Sequence, residues 1–175
     1  MVMCRKSEGD KNMMLNQIDK SFIHGKNFKI GNFCVIDEDV IVGDNVIIEN
    51  YVLLKKGTII GDNCFIDSYA RSSGDNEIGD HCTIRYGATI AKNVIIDDNV
   101  FISPNVMTIY SDPNGLHGKP TYIKTNAFIG TAAVLKNSIT INCGVVIGAM
   151  SYVNMDCKEA NGIYVGQPAK LIGTR

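Results

Sequence analysis

The 175-residue chain carries seventeen Lys plus Arg against eighteen Asp plus Glu, with three His and six Cys. That length suits one domain with a sizeable core and leaves little room for a second. A near-neutral balance gives no excess of cations to neutralise phosphates, so neither nucleic acid nor an anionic membrane is an expected partner, and a small ligand or another protein is. No stretch approaches roughly 18 uninterrupted apolar residues. The opening MVMCRKSEGDKNMM lacks an apolar run followed by a small-residue cleavage site. A soluble, cytoplasmic protein without membrane insertion is therefore expected. The six cysteines (Cys4, Cys34, Cys64, Cys82, Cys143, Cys157) form no CxxC pair, which favours reduced, packed thiols over a disulfide framework or a metal site.

In chain order, residues 1–27 read as a lead-in, partly disordered or holding a short helix on the spacing of Leu15, Ile18 and Phe22. From residue 28 to 156 an aliphatic residue recurs every six positions: Ile30, Ile36, Val42, Ile48, Leu54, Ile60, Ile66, then Ile78, Ile84, Ile90, Ile96 and Ile102. Two residues before each of these sits a small or β-branched residue in nearly every repeat. Gly, Asn and Asp fill the gaps, as in VGDNV and IGDNC, and these residue types close tight turns. Each hexad is thus a short strand plus a turn. A period of six is too short for a helix-loop repeat and too regular for a sandwich, and it indicates a parallel β-helix with a continuous interior of stacked side chains.

Two irregularities interrupt the rhythm. Ser72 and Asn76 occupy interior slots around SGDNE, and Thr108 occupies a third just before IYSDPNGLHGKPTYI. Pro113, Asn114, Gly115, Gly118 and Pro120 make residues 109–122 a loop by turn chemistry. The rhythm resumes at Ile123, Ile129, Leu135, Ile141, Ile147 and Val153, displaced by three residues, so a segment of non-repeat length has been inserted. Residues 157–175 follow the repeat as a short C-terminal segment.

The hexads, the stretch VFISPNVMTIYSDPNG and the terminus GIYVGQPAKLIGTR resemble the hexapeptide-repeat acyltransferases of the sugar and nucleotide-sugar acetyltransferase kind. The resemblance implies an all-β, left-handed parallel β-helix with three hexads per coil, one long extruded loop, a homotrimer with sites between subunits, and acetyl-CoA as acyl donor with no metal required. It also implies transfer to a hydroxyl or amine of a sugar or nucleotide-linked sugar, with histidine as general base. With three hexads per coil, residues 18 apart stack at about 4.8 Å, so Cys64 lies on Cys82. The column of Ser72, Ile90 and Thr108 then puts the SSGDN corner and the loop on one edge. Ser72 and Asn76 read either as a tolerated irregularity bonded to free backbone or as the wall of a polar, substrate-binding groove.

Acyl transfer needs a base to take the nucleophile's proton and donors for the oxyanion. His117, inside the loop, is assigned first as that base. His81, in the turn IGDHC on a different corner, is the second candidate; it reads as an exposed turn residue or as one brought against a neighbouring subunit's loop. His24 precedes the repeat and reads as structural. In one subgroup of the resembling family a catalytic histidine follows the loop tyrosine, and the matching YSDP carries Asp112 instead. Asp112 and Asn114 are substrate-binding candidates, as are Arg85 and Tyr86, which interrupt the turn TIRYGAT and suit a phosphate or a base as well as a solvated face. Gly130 and Gly148 should stack to leave an edge free of side chains where an extended ligand approaches, although glycine also suits this turn at Gly31, Gly43 and Gly61. By resemblance, Gly130, Thr131, Gly148 and Ala149 line the pantetheine groove, and Gly166, Pro168, Ala169 and Lys170 form the CoA end. Two rival readings share the fold. A γ-carbonic anhydrase-like zinc enzyme needs three converging histidines, and a non-catalytic scaffold predicts neither the loop nor the GQPAK terminus.

Overall fold

Strands of mostly two residues follow one another with corners of about four residues between them, and they stack into three parallel sheets that enclose a triangular prism. The structure, a computed structural model, describes residues 15–111, 114–115 and 118–175. The first face runs from Gln17–Ile18 to Tyr152–Val153 in eight strands, the second from Ile23–His24 to Thr140–Ile141 in seven, and the third from Lys29–Ile30 to Ala169–Thr174 in nine. The fold is the left-handed parallel β-helix. No helix among the described residues is long and apolar enough to cross a membrane.

The register is the one that three hexads per coil require: Leu53 pairs with Arg71 and Arg71 with Thr89, 18 residues apart. The hexad markers fill the interior. Ile36, Ile48, Ile60, Ile66, Ile84, Ile90, Ile96 and Ile102 are all at most 2 % exposed, and Cys34, Val40, Val46, Val52, Cys64, Cys82, Val100 and Val106 form the companion column. One residue per corner adopts positive φ, in the succession Asn27, Phe33, Asp39, Asn45, Tyr51, Gly57, Asn63 and onwards. Asn, Asp and Gly tolerate that conformation at little cost, which accounts for their periodic placement.

The coil begins earlier than the sequence suggests. Gln17–Ile18 pairs with Val35–Ile36 and Ile23–His24 with Ile41–Val42, so residues 17–27 belong to the solenoid and are not helical. The helical spacing of Ile18 and Phe22 has a simple origin. The two interior columns alternate offsets of four and two along the chain, and an offset of four imitates one helical turn. His24 occupies an interior slot on the first described coil, where its ring stacks on Phe28 at 4.8 Å and Nδ1 lies 2.9 Å from the Gly25 carbonyl oxygen.

Across the excursion the pairing interval lengthens for one coil. Val94 pairs with Thr121, Phe101 with Phe128 and Met107 with Val134, each 27 residues apart, and the interval returns to 18 at Tyr122 and Thr140. Nine extra residues make one and a half hexads, which is the three-residue frame displacement. At the C-terminus Gly162–Gly166 joins the third face in parallel, and Ala169–Thr174 folds back on it as an antiparallel hairpin.

The described cysteines Cys34, Cys64, Cys82, Cys143 and Cys157 are free thiols, and all except Cys143 are buried. Burial, with Asp156 as a lesser cause, pushes the Cys157 thiol up to about 12. The neighbouring Cys64 thiol and then burial hold Cys82 well above the ordinary thiol range.

Candidate functional site

The three edges of the prism differ in chemistry. On the edge between the second and third faces, Asp44, Asp62 and Asp80 accept backbone N–H bonds from Lys26, Asp44 and Asp62 in the preceding coil. Asp98 continues the ladder by accepting from Asp80. His81 lies here, exposed and at φ 57°, between Asn63 and Asn99. It therefore sits on a different edge from the excursion, which leaves between the first and second faces.

On that loop edge, the SSGDN corner, Lys92 with Asn93 and the feet of the excursion succeed one another, as the stacking arithmetic requires. Ser72 and Asn76, however, do not wall a groove with their side chains. They are 2 % and 0 % exposed and point into the prism. Ser72 Oγ lies 2.5 Å from Thr58 Oγ1 and donates to Asn76 Oδ1 at 2.7 Å, while Asn76 Nδ2 donates to the carbonyl oxygens of Ala91 at 2.6 Å and Val94 at 3.3 Å. The Ala91 N–H in turn donates to Thr108 Oγ1 at 2.6 Å. A buried polar chain thus runs from Thr58 to Thr108, the residue at the foot of the excursion. Its other foot is fixed by Thr121, whose Oγ1 accepts from the Ser138 N–H at 2.9 Å. A buried network with its partners satisfied rigidifies the edge it lines. Residues 112–113 and 116–117, and with them the candidates Asp112 and His117, lie outside the described residues. Asn114 is exposed.

Outside this chain of bonds, a groove of about 640 Å³ opens on the first face beside the loop edge, with Arg71 and Thr89 on its floor and Lys55, Lys56, Asp75 and Lys92 along its rim. Nothing in the hexad pattern singles out Arg71, because outward-facing strand positions are free to vary. The signal that was present is the polar interior pair directly behind it.

The third edge, between the third and first faces, carries the residues assigned to the acyl donor. Gly130 stacks on Gly148: a Cβ at Gly130 would lie 2.6 Å from both the Ala149 nitrogen and the Ile147 carbonyl oxygen. The same close approach occurs at Gly31, Gly43 and Gly61, so it does not by itself set Gly130 and Gly148 apart. What distinguishes the upper part of this edge is its neighbours. Thr131 and Ala149 are exposed beside Met150, and the hairpin tip reaches the same place. Gln167 Nε2 donates to the Met150 carbonyl oxygen at 2.6 Å and the Gly166 N–H donates to Ser151 Oγ at 3.1 Å. Gly130, Thr131, Gly148 and Ala149 are thereby brought together with Gly166, Pro168 and Ala169, and Lys170 is exposed on the strand that leaves the tip.

Lower on the same edge, Phe33, Tyr51 and Tyr69 stack at 5.1 and 4.8 Å with nearly parallel rings, and Tyr86 tilts onto Tyr69 at 5.4 Å. The first three hold positive φ in slots taken elsewhere mostly by Asn, Asp or Gly, and higher on this edge by Ala132 and Met150. This ladder is readable from aromatic residues at intervals of 18. Arg85 does not project freely: its Nε lies 3.1 Å from Asp67 Oδ2. Among the described residues no three His, Cys, Asp or Glu side chains converge as a metal ion would require.

Residues 23–56 and 57–92 match the family model described as bacterial transferase hexapeptide (six repeats). No curated protein matches the chain. Among solved structures, galactoside acetyltransferase in complex with coenzyme A is 29 % identical over 68 % of this chain and 65 % of its own, at a TM-score of 0.62. A single-site mutant of AntD, an N-acyltransferase from Bacillus cereus in complex with dTDP and coenzyme A, is 22 % identical over 97 % of this chain and 89 % of its own, at 0.61. The polySia specific acetyltransferase NeuO is 17 % identical over 92 % and 81 %, at 0.64.

Proposed function

Since the chain carries the hexapeptide repeat of the bacterial transferases, we propose that it is an acetyl-CoA-dependent acetyltransferase acting on a hydroxyl or amine of a sugar or nucleotide-linked sugar, as a cytoplasmic homotrimer. The observation that carries this reading is the convergence on one prism edge of the stacked Gly130 and Gly148, the exposed Thr131 and Ala149, and the hairpin tip at Gly166 to Ala169. Galactoside acetyltransferase and AntD, whose structures hold coenzyme A, support acetyl-CoA as donor, and the dTDP held by AntD supports a nucleotide-linked acceptor.

His117, by its place in the excursion, is the base that takes the acceptor's O–H or N–H proton as the lone pair attacks the thioester carbonyl. The tetrahedral intermediate then collapses, the C–S bond breaks, and the CoA thiolate leaves and is protonated. A base positioned in this way contributes about 10² to 10⁴ in rate. His81 lies on the edge away from the excursion within one subunit, so it reaches acceptor only through a neighbouring copy.

The test has two readouts. Acetyl-CoA at 100 times its Kd should stabilise the fold by about 2.7 kcal/mol in a melting experiment. His117→Ala should lower turnover about 10²-fold or more while that stabilisation persists. Unchanged turnover would transfer the role to His81 or to the substrate itself, and the absence of any acetyl-CoA effect would refute the reading as a whole.

A further inference from the structure

Four cations and two carboxylates line the groove on the first face, but they are not equivalent. Lys55 Nζ lies 3.1 Å from Asp37 and Lys92 Nζ 3.0 Å from Asp75, while Lys56 is shared by Glu38 at 3.0 Å and Asp39 at 3.5 Å on the rim. Each lysine charge is met locally. Arg71 has no carboxylate or hydrogen-bond partner for its guanidinium among the described residues, and it stands exposed between Leu53 below and Thr89 above. It stands in an outward column that runs Gln17, Val35, Leu53, Arg71, Thr89, Met107, Val134 and Tyr152, in which it is the one charged side chain.

The wall beside Arg71 is formed by a corner that departs from the common pattern, with positive φ at both Gly74 and Asp75. Gly74 has φ +104° and comes so near the coil below that a Cβ would lie 2.9 Å from the Lys56 carbonyl oxygen. Its N–H is tied to Ser72 Oγ at 3.2 Å, and Ser72 belongs to the buried chain through Asn76. The polar interior therefore holds rigid the wall of a concavity large enough for a nucleotide-sized ligand, with a planar cation that is unpaired among the described residues on its floor.

We propose that this groove binds the diphosphate group of a nucleotide-linked ligand, with Arg71 as the bidentate contact. A guanidinium offers paired N–H donors that match two phosphate oxygens. Lys55 and Lys92 stand close enough to follow by exchanging their aspartate partners for phosphate, a rearrangement that costs little because exposed ion pairs are weak. The assignment of this diphosphate to the acceptor rests on the transferase reading above. Coenzyme A carries the same chemistry, so the two sources must be separated by experiment.

Binding of sodium pyrophosphate, dTDP and coenzyme A to wild type, Arg71→Gln and Arg71→Lys, followed by calorimetry, tests the proposal. The unliganded melting curves serve to confirm that the variants fold, as an exposed substitution should allow. Pyrophosphate and dTDP should bind the wild type, weaken about tenfold or more in Arg71→Gln, and recover only partly in Arg71→Lys, which lacks the fork. Undiminished coenzyme A affinity in Arg71→Gln places the acceptor's diphosphate in the groove, and a parallel loss places the donor's there. Equal affinities of wild type and Arg71→Gln for all three ligands overturn the proposal even if acetyl transfer is intact. Pyrophosphate binding lost in Arg71→Gln, from a protein that acetyl-CoA fails to stabilise, would leave the groove standing and remove the transferase reading.

Discussion

Asn76 shows why a polar residue persists in an otherwise aliphatic interior. Its amide links the Ser72 hydroxyl to the Ala91 carbonyl inside a wall with no access to water. Asn76→Ala removes these bonds and the one to the Val94 carbonyl at once, and the stranded groups should cost about 2 kcal/mol, read as a lower denaturant midpoint at unchanged slope. Cys157 makes a different prediction. Its folded thiol titrates at about 12 because burial disfavours the thiolate, against 9.0 for the free group. Below pH 9 the folded and unfolded chains hold the same proton. Between about 9 and 12 the unfolded chain loses it first, so stability should fall as pH rises through that window. Cys34, raised by burial, acts in the same direction, whereas in the Cys64 and Cys82 pair the contact that raises one thiol lowers the other, so the two oppose each other. Melting temperatures from pH 8 to 11 should therefore decline, and more shallowly in Cys157→Ser. A flat profile would contradict the burial assigned to these thiols.

At the level of the coil, spacing between rungs controls what can change. Gly130→Ala drives a methyl group against backbone atoms of the next coil at 2.6 Å, where nothing can rotate away. A cost of about 1 to 3 kcal/mol is expected by thermal or denaturant unfolding. Gly173→Ala, with nothing within 4 Å of the new atom, is the control and should be nearly neutral. Strand identity and register were legible because the repeat states them redundantly: Ile36, Ile48 and Ile60 each specify an interior slot, and Asn45 and Asn63 each specify a turn. The first coil was not, because offsets of four between Ile18 and Phe22 carry no information that separates a helix from a hexad.

For the molecule as a whole, the period of 18 that the family resemblance implies puts the SSGDN corner and the feet of the excursion on one edge, and the register agrees. The sequence could not reveal which polar residues face inward. Ser72 and Arg71 are adjacent in sequence, and strand alternation sends one to the interior and the other to the surface. Arg71 goes unmarked because the outward column has no rule to violate, whereas Ser72 stands out by breaking one.

The 27-residue coil between Val94 and Thr121 also bears on how the fold accommodates change. Closing a segment half again as long as its neighbours costs only about 0.4 kcal/mol of additional chain entropy, far less than one misplaced interior methyl group. A solenoid whose rungs bond only to the rungs above and below confines that penalty to one coil. The length of the excursion is thus nearly decoupled from folding, and the segment is free to be lengthened, shortened or exchanged while the prism beneath it keeps its shape.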